Sequence, residues 1–372
     1  MNKQAVLKLN LQAVLFVILC TGRFLIFGQT DTWVQKANYG GGSTFSGIGF
    51  SIGDKGYIGL GDNASGTQFQ QIWEYDPTTN VWTQKADFGG GTRSNAVAFG
   101  IGGKAYVGTG YNSVPQKDFW EYDQASNTWT QMADFAGGNR IRMVGFSIGT
   151  KGYVGTGSNG TFFKDFWEYN PATDTWTALQ DFPGLPRQSA TGFSIGSKGY
   201  IGTGWGTSSN FKDFWEYDPS TNTWLQKADV GTTNRYEAVG FSIGSKGYIS
   251  TGGEWPVYTK DLLEYDPSID CWTKRADFGG AVRALASGFA VGGKGYVGTS
   301  NFTIDFWEYT PAASLPPPTI TLFTPTNGPV GTTVTINGTN FDPTSSNNIA
   351  SFNGVSALIS SASSSTLSVT VP

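Results

Sequence analysis

Five arginines recur at one place in a repeating sequence. Arg93, Arg140, Arg187, Arg235 and Arg283 each precede an apolar segment, and Thr44 occupies the sixth such place. A guanidinium group grips a carboxylate or phosphate through two parallel hydrogen bonds. Five of them brought to one rim would focus positive potential on a chain whose net charge is -4. The competing reading is that each arginine caps backbone carbonyls in its own loop. The loops that vary most between units carry aromatic residues, among them Tyr111, Trp205, Trp255 and Tyr258. Tryptophan and tyrosine beside charge make stacking surfaces for sugars or anchors for a protein partner. Trp205 and Trp255 break the repeat and are the stronger candidates, whereas Phe69, Phe162, Phe163, Phe211 and Phe302 read more simply as packing between units.

The residues that are missing narrow the chemistry. There is no histidine, so the commonest general base and transition-metal ligand is gone, and a serine or cysteine nucleophile lacks its usual partner. Most carboxylates belong to the repeat. Glu74, Glu121, Glu168, Glu216, Glu264 and Glu308 share one strand position, and Lys36, Lys85, Lys227 and Arg275 share another. Buried charges need partners, so ion pairs within each unit account for these residues. An asymmetric active site should instead break the repeat. Asp62, Glu237 and Glu254 are the main acidic breaks, and no acid and base pair is visible among them. No catalytic residue, metal or cofactor is assigned. Lys55, Lys104, Lys151, Lys198, Lys246 and Lys294 form a further set in tight turns, where lysine is ordinarily just solvated.

The elements that must position these residues follow from the period. A tyrosine-glycine phrase returns about every 48 residues, from Gly56-Tyr57-Ile58-Gly59 to Gly295-Tyr296-Val297-Gly298, and such a period signals stacked structural units. In the third unit Met143 to Gly149 reads as an inner strand, Thr150-Lys151 as a tight turn, and Tyr153 to Gly155 opens a second strand. Phe166-Trp167-Glu168-Tyr169 is a third strand, Asn170 to Asp174 a turn, and Trp176 begins a fourth. Aromatic runs with 52 glycines and no sustained helical period after the N-terminus give an all-β class. The first three strands occur six times. The chain opens on an unaccompanied fourth strand, Asp31-Thr32-Trp33-Val34-Gln35-Lys36, and the unit ending at Trp307-Glu308-Tyr309 lacks one. Joining the two closes a six-bladed β-propeller and leaves no exposed edge.

These residues resemble the kelch repeat over 29-312. Tyr75-Asp76-Pro77, Tyr217-Asp218-Pro219 and Tyr265-Asp266-Pro267 match its turn, each followed by a tryptophan. The chain departs from that pattern where the family carries a Gly-Gly pair and this sequence has Thr109-Gly110, Thr156-Gly157 and Thr203-Gly204. The resemblance implies partner recognition from the face that carries the arginine loops. Some kelch-like propellers resemble galactose oxidase, whose copper needs histidine ligands and a cysteine-linked tyrosine. The absence of histidine excludes that chemistry here. Beyond a stiff linker at 313-318, containing Pro316-Pro317-Pro318, residues 319-372 resemble an IPT/TIG immunoglobulin-like domain through Pro325, Gly328, Gly331, Gly338, Phe341 and Gly354. The segment is short of the ~100 residues of an immunoglobulin-type sandwich, so this sandwich is expected to be incomplete.

Residues 1-28 read as a secretory signal peptide, with Lys3 and Lys8 before the apolar run Leu11 to Leu19. An uncleaved anchor is the alternative. After cleavage no membrane span and only Cys271 remain, so a small unpaired core thiol is expected there. The acidic balance argues against nucleic acid. The resulting expectation is a secreted or cell-surface binding or adhesion protein that recognises a glycan or a protein through one propeller face. A carbohydrate-active lyase or hydrolase of the kelch-like class and a structural stalk of a larger adhesin are the alternatives.

Overall fold

The computed structural model describes residues 31–300, 303–312, 319–341, 343, 345, 348, 350–352 and 355–372. The expected signal peptide, the linker at 313-318 and Phe302 lie outside them. Two compact units result, one spanning Asp31–Thr310 and the other including Pro311–Pro372.

The first unit is a six-bladed propeller of four-stranded antiparallel sheets. Blade III shows the pattern: Val144–Ile148 innermost, then Lys151–Gly155, Phe166–Asn170 and Thr175–Ala178. Its innermost strand alternates between buried and half-buried residues. The third strand buries Phe166 and Tyr169 and leaves Trp167 and Glu168 half-buried. Blade VI combines Ser287–Val291, Lys294–Ser300 and Thr303–Thr310 with Thr32–Gln35 from the start of the described chain. Trp33 stands opposite Tyr309 and Gln35 opposite Trp307, so the ring closes as the strand count requires. Inner strands approach one another closely around the axis. A Cβ on Gly145 would fall 2.3 Å from Val97 Cγ2 in the neighbouring blade.

Each pair of blades is also clasped at the outside. Asn127, held at a φ of 54°, uses its Oδ1 to accept the Ala86 N–H of the previous blade and the Tyr122 hydroxyl, both at 2.9 Å. Trp129 Nε1 returns a hydrogen bond to the Ala86 carbonyl at 3.1 Å. At the closure Asp31 and Trp33 make the corresponding contacts to Ala276.

The glutamates pair within their blades as the repeat implies: Lys36 with Glu308, Lys85 with Glu74, Lys227 with Glu216 and Arg275 with Glu264. The turn lysines are not merely solvated. Lys104 and Lys151 take Glu121 and Glu168, in the two blades that have Met132 and Leu179 where others carry the strand cation, and Lys55, Lys198 and Lys246 take turn aspartates. Cys271 is buried in the strand Cys271–Lys274, as expected of a small core residue. The other cysteine of the sequence, Cys20, lies outside the described residues.

The second unit is a five-stranded sheet ordered Thr319–Thr324, Thr333–Thr339, Thr366–Thr370, Val355–Ala362 and Ala350–Phe352. Val334, Ile336, Phe341, Leu367 and Val369 form its core. Gly338 admits no side chain, since a Cβ would sit 1.9 Å from the Thr319 carbonyl oxygen. No helix among the described residues is long and apolar enough to cross a membrane.

Candidate functional site

The five repeat arginines are structural. Arg93, Arg140, Arg187, Arg235 and Arg283 are 0–5% exposed, and each pairs with an aspartate of its own blade: Asp118, Asp165, Asp213, Asp261 and Asp305. Arg187 shows the full set of contacts. Its Nη2 donates to Asp213 Oδ2 at 2.9 Å and its Nη1 to the Thr203 carbonyl at 2.8 Å, while its own carbonyl accepts the Gly157 N–H of the preceding blade. The guanidinium also lies 4.0 Å from the Phe211 ring centroid, as that of Arg140 lies 3.8 Å from Phe163. A charge so enclosed must be paired and hydrogen-bonded. These guanidinium groups therefore serve the blades and do not converge on a rim.

They also meet the threonines that replace the first glycine of the pair. Thr109, Thr156 and Thr203 adopt φ of 56°, 59° and 61°, a left-handed conformation that costs an L-residue roughly 1–2 kcal/mol. In each case an arginine Nη1 binds the carbonyl of that residue. Blade I replaces the whole assembly at once, with Thr44 for arginine, Leu60 for threonine and Gln71 for aspartate.

Charge does gather on the axis, through residues just before the innermost strands. Ser46, Asn95, Arg142, Ser189, Glu237 and Leu285 all have φ between 53° and 59°. This turn aims each N–H at the equivalent carbonyl one blade back, and six such hydrogen bonds of 2.8–3.2 Å form a closed backbone ring. The next residues line an axial channel of about 170 Å³, walled mainly by glycine, alanine and valine. The ring is therefore its mouth.

Side chains at this mouth form a continuous polar chain. Gln68 Nε2 and Asn95 Nδ2 each donate to Ser94 Oγ at 3.1 Å, and Ser94 lies near enough to Asp62 to favour its charged form. Arg142 Nε donates to Asn95 Oδ1 at 3.1 Å, and Arg142 Nη1 lies 3.5 Å from Glu237 Oε1. Burial pushes the carboxyls of Asp62 and Glu237 up from their ordinary range, and Arg142 offsets only part of that. Asp62 Oδ1 and Ser189 Oγ are buried without a hydrogen-bond partner.

Aromatic rings adjoin the chain. Trp205 packs 6.0 Å from Tyr236, the residue before Glu237, and 6.1 Å from Phe162. Trp255 donates its N–H to the Tyr236 hydroxyl at 3.1 Å and lies 6.1 Å from Tyr258. Burial raises the Tyr258 hydroxyl, with a further contribution from the nearby Glu237 charge. Asn210 Nδ2 to Glu254 Oε1, at 2.7 Å, ties the loops of Trp205 and Trp255 together. Trp205 is 40% exposed and Trp255 is 72% exposed. Tyr111, 38% exposed, pairs through its backbone with Ser94 at the far side of Asp62.

The structure thus brings together Trp205, Trp255, Tyr258 and Glu237, while Asp62 reaches Glu237 only by way of Ser94, Asn95 and Arg142, and Tyr111 adjoins Ser94. Arg142 is the residue that the sequence reading overlooked. It stands two positions after Arg140, where the other units carry Ser46, Asn95, Ser189, Glu237 and Leu285, so it is a break in the repeat like Glu237.

Residues 318–372 match the IPT/TIG domain family. No curated protein matches the chain. Among solved structures, one titled "Structure of YjhT" aligns with a TM-score of 0.62 at 19% identity, covering 76% of this chain and 96% of that one. That likeness shows the propeller fold, and the residues from 318 onward are an IPT/TIG domain.

Proposed function

We propose that this chain is a secreted or cell-surface adhesion protein of the kelch-repeat kind, which binds a glycan at the mouth of its propeller channel. The observation that carries this reading is the pair of exposed rings Trp205 and Trp255, backed by the half-buried Tyr236 and Tyr258 and set beside Glu237 and its partner Arg142. Sugars present apolar ring faces and hydroxyl edges. Aromatic rings stack on the former, and carboxylate, amide and guanidinium groups bind the latter. The IPT/TIG domain and the propeller support a binding role. The basic and apolar N-terminal segment supports export. A glycan panel tests the reading: the full chain should retain defined oligosaccharides and the Trp205→Ala variant should lose them. Binding that survives Trp205→Ala, or no glycan binding at all, would overturn it.

One observation favours a second reading, a carbohydrate-active enzyme. Asp62 and Glu237 are both raised by burial near one cavity mouth, and acids shifted in this direction recur where protons are transferred. Chemical change of a retained glycan during incubation, abolished in Glu237→Gln, would establish it.

A further inference from the structure

We infer that the loops of Trp205 and Trp255 hold a glycan through an amino sugar, whose free ammonium group meets Glu254 while its ring face lies on the indoles. This rests on the glycan-binding reading and names the class of sugar. The residues involved form a closed circuit. The Trp205 ring lies 6.0 Å from the Tyr236 ring, and the Tyr236 hydroxyl accepts the Trp255 N–H at 3.1 Å. Trp255 follows Glu254 at the turn of a short hairpin, in which Glu254 pairs with Val257. Glu254 Oε1 accepts from Asn210 Nδ2 at 2.7 Å, and Asn210 pairs with Trp205 across an antiparallel bridge. Two exposed indoles on adjoining loops therefore flank one exposed carboxylate, close enough for a short oligosaccharide to touch all three.

The chemistry of this group favours a cation. Asn210 is the side-chain partner of Glu254 among the described residues and takes one oxygen, so the other stays open to a ligand. No lysine or arginine of the described residues forms an ion pair with it. The five repeat arginines are turned into their blades against aspartates, and Arg142 is taken by Asn95 and Glu237. An acidic sugar thus finds no open guanidinium here and meets the Glu254 charge instead. A protonated sugar amine supplies the missing positive charge: it donates a charge-assisted hydrogen bond to the open oxygen, and it is attracted to the face of an indole, the best aromatic partner for a cation. An acetylated amine keeps the stacking but offers Glu254 only a neutral donor.

The test titrates glucosamine and N-acetylglucosamine oligomers of equal length into the full chain by calorimetry at about pH 6, where a sugar amine, like an α-amino group, is protonated. Glu254→Gln and Trp205→Ala are the variants, and thermal unfolding confirms that each is folded. An oligolysine of matched charge is the control, because the chain is acidic overall. We expect the glucosamine oligomer to bind about 10-fold more tightly than the acetylated one. Glu254→Gln should weaken the glucosamine oligomer about 5-fold and leave the acetylated one nearly unchanged. Equal or tighter binding of the acetylated oligomer, a gap unchanged by Glu254→Gln, or oligolysine binding as tight as that of the glucosamine oligomer overturns this inference, while leaving the glycan reading intact if Trp205→Ala still abolishes binding of the oligomers. A parent chain that binds neither oligomer also overturns the inference, and the wider glycan panel then decides the reading. Failure of Trp205→Ala to affect either oligomer overturns the glycan reading itself.

Discussion

Arg142 Nε donates to Asn95 Oδ1 at 3.1 Å while its Nη1 lies 3.5 Å from Glu237 Oε1, so one guanidinium group joins residues that precede three different blades. Replacing the cation, as in Arg142→Gln, removes the only positive charge that lowers Glu237. The Glu237 carboxyl should then titrate at higher pH than in the parent, a shift that carbon-detected NMR reads directly. Glycan affinity should fall about 10-fold. A Glu237 titration that stays in place would show that the two groups are not coupled.

The arginine-aspartate pairs make a prediction about stability alone. Arg187→Ala leaves Asp213 and the Thr203 carbonyl without their main partner, and breaking a buried pair this way costs about 3–5 kcal/mol. Blade I shows which replacement the fold accepts. The triple substitution Arg187→Thr, Thr203→Leu, Asp213→Gln copies Thr44, Leu60 and Gln71 and should recover a large part of the loss in chemical denaturation. A triple variant no more stable than Arg187→Ala would show that the three positions are not one unit.

Asp62 should affect stability in the opposite sense. Its Oδ1 is buried without a partner and its carboxyl is raised by burial. Asp62→Asn removes a desolvated charge at nearly constant shape, so Tm should hold or rise by ~2 °C. A large drop in Tm would mean that the Asp62 charge supports the loops.

Acid stability should have two phases of opposite sign. For Asp62 and Glu237 the folded carboxyl is raised above its unfolded value, so the folded state binds protons more readily and gains stability as pH falls from neutral towards the unfolded range near 4. Burial also pushes Asp261 and Asp305 up, but Arg235 and Arg283 outweigh it and hold both below the usual range. Their contribution is present above the unfolded pKa and is lost as pH falls through the folded one. A Tm profile should therefore rise gently as pH falls from neutral towards the unfolded carboxylate range and fall steeply below about 4, and the first phase should flatten in Asp62→Asn.

Ring closure has its own signature. Trp33 packs 5.0 Å from Phe278 and 5.1 Å from Tyr309 and hydrogen-bonds the Ala276 carbonyl. Trp33→Ala should cost roughly 3–5 kcal/mol, and amide exchange should quicken first in Thr303–Thr310, the strand that it pairs with. Uniform loss of protection across all six blades would instead show that the ring opens as a single unit.

Blade number, strand order and closure were legible because they depend on local period and on counting. A tyrosine-glycine phrase followed by an aromatic-acidic strand repeats six times whatever surrounds it, and a lone Trp33 strand has one vacant place to go. The exposed rings of Trp205 and Trp255 were legible for a similar reason, as departures from the repeat. The role of the arginines was not, because a recurrent arginine before a strand is the same string whether it faces a ligand or an aspartate. Asp118 follows Arg93 by 25 residues, and only the folded blade shows that the two side chains share one buried volume. Arg142 was hidden for the complementary reason. Its significance comes from the left-handed turn that sets six side chains of five kinds around one axis, and the distance between Asn95 and Glu237, 142 positions apart in sequence, is decided by the closure of the circle.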